Sequence, residues 1–238
     1  MHALHQVYRT FFYPHSFRLS LPDVWAGFQL NLKMMVIAEA LVLVFALTLA
    51  IVRGLPAPAA KPLRALAIVY TDFFRGTPLI LVAFIVGFGV PGLQLGYISN
   101  QHVIVYGIAA LTLVYTAYVT EVYRAGIESV HPSQRAAARS LGLTYWQALR
   151  YVILPQAVRR VIPPLLNDFV GLQKDTAIIS VIGVGEATQL AQQFSTQNND
   201  FPSLVAAAVF FILLTIPLAR FTDHLVADRE RRERAQAF

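Results

Sequence analysis

The chain has no cysteine, so it can form no disulfide and holds no thiol nucleophile or thiolate metal site. It is also poor in charge. Only 13% of its 238 residues are Asp, Glu, Lys or Arg, against about 25% in an ordinary soluble domain. The six histidines show no HExxH or similar ligand spacing, so no metal site is expected. No GxxxxGK[ST] loop is present either, which assigns any nucleotide chemistry to a partner chain. GxSxG and GxGD-like motifs are likewise missing, which argues against an intramembrane enzyme.

What the chain does have is apolar length. Hydrophobic residues make up 56% of it, and with so little charge to cover a surface, that excess belongs in a bilayer. Five spans are expected: Met34–Val52, Leu66–Val90, Val103–Tyr123, Val161–Val184 and Leu204–Ala219. The fourth is the most polar, carrying Asp168, Lys174 and Asp175. The first apolar run starts late and is too long for a secretory leader, so it reads as a retained span.

Lys and Arg alternate loop by loop. Arg53, Lys61 and Arg64 follow span one. Arg124, Arg135, Arg139, Arg150, Arg159 and Arg160 follow span three, and Arg220, Arg229, Arg231, Arg232 and Arg234 follow span five. The connections PGLQLGYISNQ and EATQLAQQFSTQNNDFPS contain none. The pattern fits an all-α membrane protein with its N-terminus outside and its C-terminus inside, although Arg9 and Arg18 lean the other way. The net charge of +6 is therefore topological and implies no nucleic-acid partner. Residues 1–28 form an outside or interfacial segment, 29–226 the membrane domain, and 227–238 a basic cytoplasmic tail.

The cytoplasmic loop of about residues 124–160 is the unusual part. PSQRAAARSLG is rich in helix formers, with Ser133 placed to cap a short helix and Gly142 placed to end it. TYWQALRYVIL restarts a helix at Thr144, and Pro155 and the Pro163-Pro164 pair are expected to break or bend the chain beyond it. On pattern alone the first helix is either an amphipathic surface helix or a docking helix whose alanines admit a close partner.

Intramembrane ionisable residues are functional suspects. Asp72 and Arg75 lie three apart on one helical face, followed by Gly76-Thr77-Pro78, which should loosen the helix and free carbonyls. Lys174, Asp175 and Thr176 put opposite charges side by side within a span. They would suit the two charged ends of an amino acid, or would satisfy each other. Glu39, Glu121 and Glu186 are weaker candidates, with Glu121 and Arg124 better read as a structural pair.

Ala136-Ala137-Ala138, three residues, Gly142, nine residues and Val152-Ile153-Leu154-Pro155 resemble the EAA loop of bacterial ABC importer permeases. FFRGTPLILV (73–82), AYVTEVYRAGIESV (117–130), LPQAVRRVIPPLLN (154–167) and LQKDTAIISVIGVGE (172–186) resemble the polar amino-acid subfamily in order and spacing. The likeness runs from about Gln29 to Arg220. Two positions depart from it: Ala136 stands where the family has Glu, and Ser133 where it has Gly.

The resemblance implies a permease subunit of an ATP-driven importer of a polar amino acid, multi-pass in the bacterial inner membrane. It implies no cofactor of its own, with ATP and Mg on an ABC ATP-binding subunit dimer. A second permease subunit, identical or homologous, and an external or periplasmic binding protein would complete the assembly. Gln134, Ala136, Ala137, Arg139, Leu141, Gly142 and Leu143 would couple to the ATPase, the helix between spans three and four acting as a stiff lever. Arg75, Thr77, Lys174, Asp175, Thr176 and Glu186 are the candidates for the substrate pathway. The competing reading is a stand-alone ion-coupled carrier or channel.

Overall fold

The structure is a computed structural model that describes residues 2–55 and 58–236. Residues 1, 237 and 238 of the two terminal segments, and 56–57 of the first basic loop, lie outside the described residues. Every regular element among the described residues is helical. The α-helices of four residues or more are, in order, α1 (His2–Phe12), α2 (Pro14–Arg53), α3 (Lys61–Gly76), α4 (Leu79–Phe84), α5 (Val103–Glu128), α6 (Pro132–Ser140), α7 (Tyr145–Ala148), α8 (Leu154–Asp175), α9 (Ala187–Asn198) and α10 (Pro202–Gln236). π-helical turns follow α4 at Ile85–Gly89 and α7 at Leu149–Ile153, and a 3-10 segment, Thr176–Ile182, follows α8.

Three stretches among the described residues are long and apolar enough to cross a membrane: His5–Arg53, Val103–Glu128 and Pro202–Asp228. Counting the pair Pro58–Gly76 and Leu79–Gly92 as one broken span gives a fourth. The expected second span is thus not one helix. It stops at Gly76 and restarts at Leu79, as the Gly76-Thr77-Pro78 step leads one to expect. The expected fourth span, 161–184, is α-helical only to Asp175, and its charged residues keep it out of the apolar count. Val44, Val69 and Leu213 are 63%, 64% and 65% exposed on their helices. Rows of large apolar side chains facing outward suit hydrocarbon rather than water. The chain is a multi-pass membrane protein.

α2 starts at Pro14 and runs unbroken to Arg53 with Pro22 inside it. One sequence expectation gives way here: the prolines near residue 160 do not break the helix, since α8 runs through both Pro163 and Pro164. Pro155 lies two residues past the end of the π-helical turn, whose wider spacing relieves the clash a proline ring makes with the carbonyl four residues back. The buried residues Ala157 and Val161 fix the helix ahead of the proline pair.

The chain forms two compact units. One comprises Met1–Ala40, Thr77–Thr112 and Val170–Phe221. Its core joins Val24 and Phe28 of α2, Ala187 and Ala191 of α9, and Ala206 and Ala207 of α10, with Phe210 and Phe211 packed around Phe28. Small residues set the spacing. A Cβ on Gly27 would come within 2.6 Å of the Ala187 nitrogen, so only glycine lets α2 approach the start of α9 this closely. The other unit comprises Leu41–Gly76, Leu113–Phe169 and Thr222–Phe238. Its cluster of Val130, Leu149, Ile153 and Ala157, flanked by Ile127 and Leu154, seats the polar loop that follows α5.

Candidate coupling helix and substrate pathway

α6 is a short helix with both ends defined. His131, not Ser133, caps it: the His131 ring nitrogen Nδ1 accepts the Ser133 N–H at 3.2 Å, and Pro132 takes the first helical position. The histidine two residues earlier competes successfully with the serine hydroxyl, which bonds to the same ring nitrogen at 2.7 Å. At the far end the Gly142 N–H donates to the Arg139 carbonyl at 2.9 Å, and the Leu143 N–H to that of Ala138 at 3.1 Å. This pair of bonds is a Schellman motif and needs a left-handed residue, which Gly142 supplies at φ +77°. Thr144 then starts α7 with a capping box, donating its N–H to the Gln147 side chain and accepting the Gln147 N–H.

The two ends leave a helix with distinct faces. Ala138 is buried, whereas Gln134, Ala136, Ala137 and Arg139 are exposed, Leu141 is 80% exposed and Leu143 is half-buried. A leucine held open beside two alanines is an uncovered apolar knob, the type of feature that a partner's cleft buries. The base is fastened by polar ties. Arg135 donates to the Ile127 carbonyl at 2.8 Å, Arg160 to the Ser129 carbonyl, and the Tyr145 hydroxyl to the Gly54 carbonyl at 2.8 Å. Burial raises the pKa of Tyr145, against the pull of Arg135, so the phenol stays protonated and keeps donating.

Glu121 is the hub of an ion network. It pairs with Arg53 and, at 2.8 Å, with Arg124, which also reaches Glu128 at 2.5 Å; Arg53 donates to Thr71 at 2.9 Å as well. The i, i+3 pairing of Glu121 and Arg124 is visible in the sequence. Arg53, 68 positions away, is not.

The pathway candidates fall into different settings. Arg75 lines a cavity of about 710 Å³ together with Tyr118, Glu121, Arg160 and Asp168. Asp168 has a buried carboxylate oxygen, Oδ2, without a hydrogen-bond partner, an arrangement that calls for a polar guest. Thr77 is half-buried at the helix break, Lys174 is exposed and Asp175 half-buried at the end of α8. Thr176 and Glu186 have no exposed surface. Asn31 holds both, its amide nitrogen lying 3.0 Å from the Thr176 hydroxyl oxygen and 2.9 Å from Glu186 Oε2. Glu186 further caps α9 through the Thr188 and Gln189 N–H groups. The Thr176 and Glu186 side chains are thus both hydrogen-bonded inside the protein.

Sequence reasoning missed Asn31 and passed over Asp168. Asn31 precedes the apolar run of span one, where a polar residue attracts no notice. Asp168 served only as a mark against its span, although an acid within a span is itself a signal.

The family described as "binding-protein-dependent transport system inner membrane component" matches residues 46–231. The probable glutamine ABC transporter permease protein GlnM of Bacillus subtilis is 38% identical over 206 residues, covering 86% of this chain and 92% of the relative. The arginine transport system permease protein ArtQ of the same organism is 33% identical, covering 82% and 88%. Among solved structures, an amino acid ABC transporter with histidines is similar at TM-score 0.77 and 31% identity, covering 89% of this chain and 94% of that one. The MetNI methionine ABC transporter in an inward-facing conformation shares the fold at TM-score 0.70 and 18% identity, covering 86% and 95%.

Proposed function

The chain belongs to the binding-protein-dependent transport system inner membrane component family, and from that membership we propose how it carries out its work. It is the membrane permease subunit of an amino-acid ABC importer, and ATP hydrolysis belongs to a separate ATPase subunit. The same kinship favours this over a stand-alone carrier. The finer points are proposals. The chain lies in the bacterial inner membrane with five spans, its N-terminus outside and its C-terminus inside, and carries a polar amino acid. It pairs with a second permease subunit, identical or homologous, and receives cargo from an external binding protein. An ATP-binding subunit dimer holding ATP and Mg sits on its cytoplasmic side.

One observation carries the mechanism: α6 is a helix closed at both ends, with Leu141 80% exposed beside Ala136 and Ala137. We assign Gln134, Ala136, Ala137, Arg139, Leu141, Gly142 and Leu143 to the contact with the ATPase. A short rigid helix transmits a push, and the Gly142 turn passes it to α7 and α8. Arg75, Thr77, Lys174 and Asp175 are assigned to the cargo route. Asp168 joins them because its unpartnered oxygen and Arg75 line one cavity, where the former would meet an ammonium and the latter a carboxylate. Thr176 and Glu186 are assigned a framework role, holding the start of α9 through Asn31.

The test is Leu141→Asp in the complete transporter. A charge on the knob should abolish ATPase co-purification or reduce substrate-stimulated ATP hydrolysis at least tenfold, while the permease still folds. Normal assembly together with normal stimulated hydrolysis would remove α6 from the coupling role.

A further inference from the structure

α6 has a second use. Arg135 and Arg139, one turn apart, face a cavity of about 890 Å³ that Ala136, Ala137 and Leu141 do not line. Its other walls come from the end of α2, from Ile68 on α3, from the inner end of α5, and from α7 with the turns on either side of it. The volume is within the roughly 300–1,000 Å³ of small-molecule sites. The lining divides into two kinds of surface. Ile51, Ile68 and Ile127 make an aliphatic wall, while Arg53, Arg124, Arg135 and Arg139 contribute guanidinium groups, with Glu128 the one carboxylate among the lining residues.

The charge does not balance. Arg53 is engaged by Glu121, and Arg124 by Glu121 and Glu128. Arg135 spends one donor on the Ile127 carbonyl and has no carboxylate partner among the described residues. Arg139 has none there either. Two cations without carboxylate partners in a cavity that also has an aliphatic wall call for a ligand that is anionic at its head and apolar in its body. Arginine pairs favour phosphate oxygens, which they meet with two parallel donors.

We propose that this cavity binds an anionic phospholipid of the cytoplasmic leaflet. Its phosphodiester lies on Arg135 and Arg139, and its glycerol and upper acyl methylenes lie against Ile51, Ile68 and Ile127. The placement at that leaflet rests on the topology proposed above. A free phosphate ion would leave the aliphatic wall uncovered, and a choline lipid would bring a further cation to a site already in excess of positive charge. The lipid braces α6 from behind, sharing Arg139 with the ATPase contact assigned above, while Leu141 reaches the ATPase from outside the cavity.

The complete detergent-purified transporter is measured by native mass spectrometry with dioleoyl phosphatidylglycerol, dioleoyl phosphatidylcholine and inorganic phosphate in separate arms. The expected result is selective retention of phosphatidylglycerol, weakened about tenfold by Arg135→Gln with Arg139→Gln. Ile68→Trp, which fills the aliphatic wall without touching either arginine, should also weaken it. Equal retention of the two lipids overturns the proposal, as does retention unchanged in all variants or full displacement by inorganic phosphate. Leu141→Asp separates this from the coupling assignment: it should leave phosphatidylglycerol bound while the ATPase is lost.

Discussion

Asn31 and Glu186, 155 positions apart, meet at 2.9 Å where neither has more than 2% of its surface exposed. The same asparagine's carbonyl oxygen accepts the Ala187 N–H at 3.1 Å, so one side chain closes the start of α9 and holds its capping acid. The cap lies beside Gly27, whose missing side chain lets the two helices touch. Buried polar groups fully satisfied in this way fix one arrangement of the surrounding helices.

Replacing Asn31 by Ala should therefore destabilise the protein through polar groups left behind. Glu186 and the Ala187 N–H would each lose a partner in a buried site, at about 1–3 kcal/mol apiece. Glu186→Gln should also be harmful, because an amide donor would then face the Thr188 or Gln189 N–H. Thermal unfolding in detergent should show a lower midpoint for both. If a Glu186→Gln protein that still folds shows an altered KM for uptake, the residue contacts cargo and the framework assignment is wrong.

The ion network makes a graded prediction. Glu121→Gln strands Arg53, whose side chain is only 14% exposed, and should cost about 3 kcal/mol. Arg124→Gln removes a more exposed partner at 36% and should cost under about 1 kcal/mol, since Arg53 still answers Glu121. Denaturation of the two variants side by side checks the order. Equal losses would mean that Arg53 contributes nothing.

Local signals are legible in the sequence and long-range ones are not. The Gly142 stop, the Thr144 start and the break before Pro78 depend on backbone geometry within a few residues, which residue type dictates. The cap expected at Ser133 sits two positions earlier because a histidine ring nitrogen can perform the same task. The proline pair fails as a signal because packing at Ala157 and Val161 outweighs a local penalty. The network of Asn31, Thr176 and Glu186, like the meeting of Arg53 with Glu121, is created by tertiary packing. No periodicity within one segment carries it.

Gly142 offers a test of the lever through backbone conformation alone. No atom lies within 4 Å of where its Cβ would go, so a side chain there meets strain only from φ. Gly142→Asn should be nearly silent, because asparagine tolerates the left-handed region. Gly142→Val should cost about 1–2 kcal/mol or more locally and unravel the Schellman bonds to the Ala138 and Arg139 carbonyls. Uptake by the reconstituted transporter should be retained in the first and fall severalfold in the second. Equal uptake in both would show that the turn's geometry is not needed to transmit the push.

The cavity holding Arg75 and Asp168 makes the last prediction. Asp168→Asn keeps the shape and removes the charge that would meet a substrate ammonium, while Arg75→Gln removes the one that would meet its carboxylate. Neither residue lies on α6, so ATPase co-purification should be unchanged in both. Uptake should fall about tenfold or more, since each variant loses a charge-assisted hydrogen bond of roughly 1.5–3 kcal/mol. Basal ATP hydrolysis by the assembled complex separates a blocked route from a broken motor: it should persist while uptake fails. Full uptake in both variants would move the cargo route elsewhere, leaving Lys174 and Asp175 as the charges to test next.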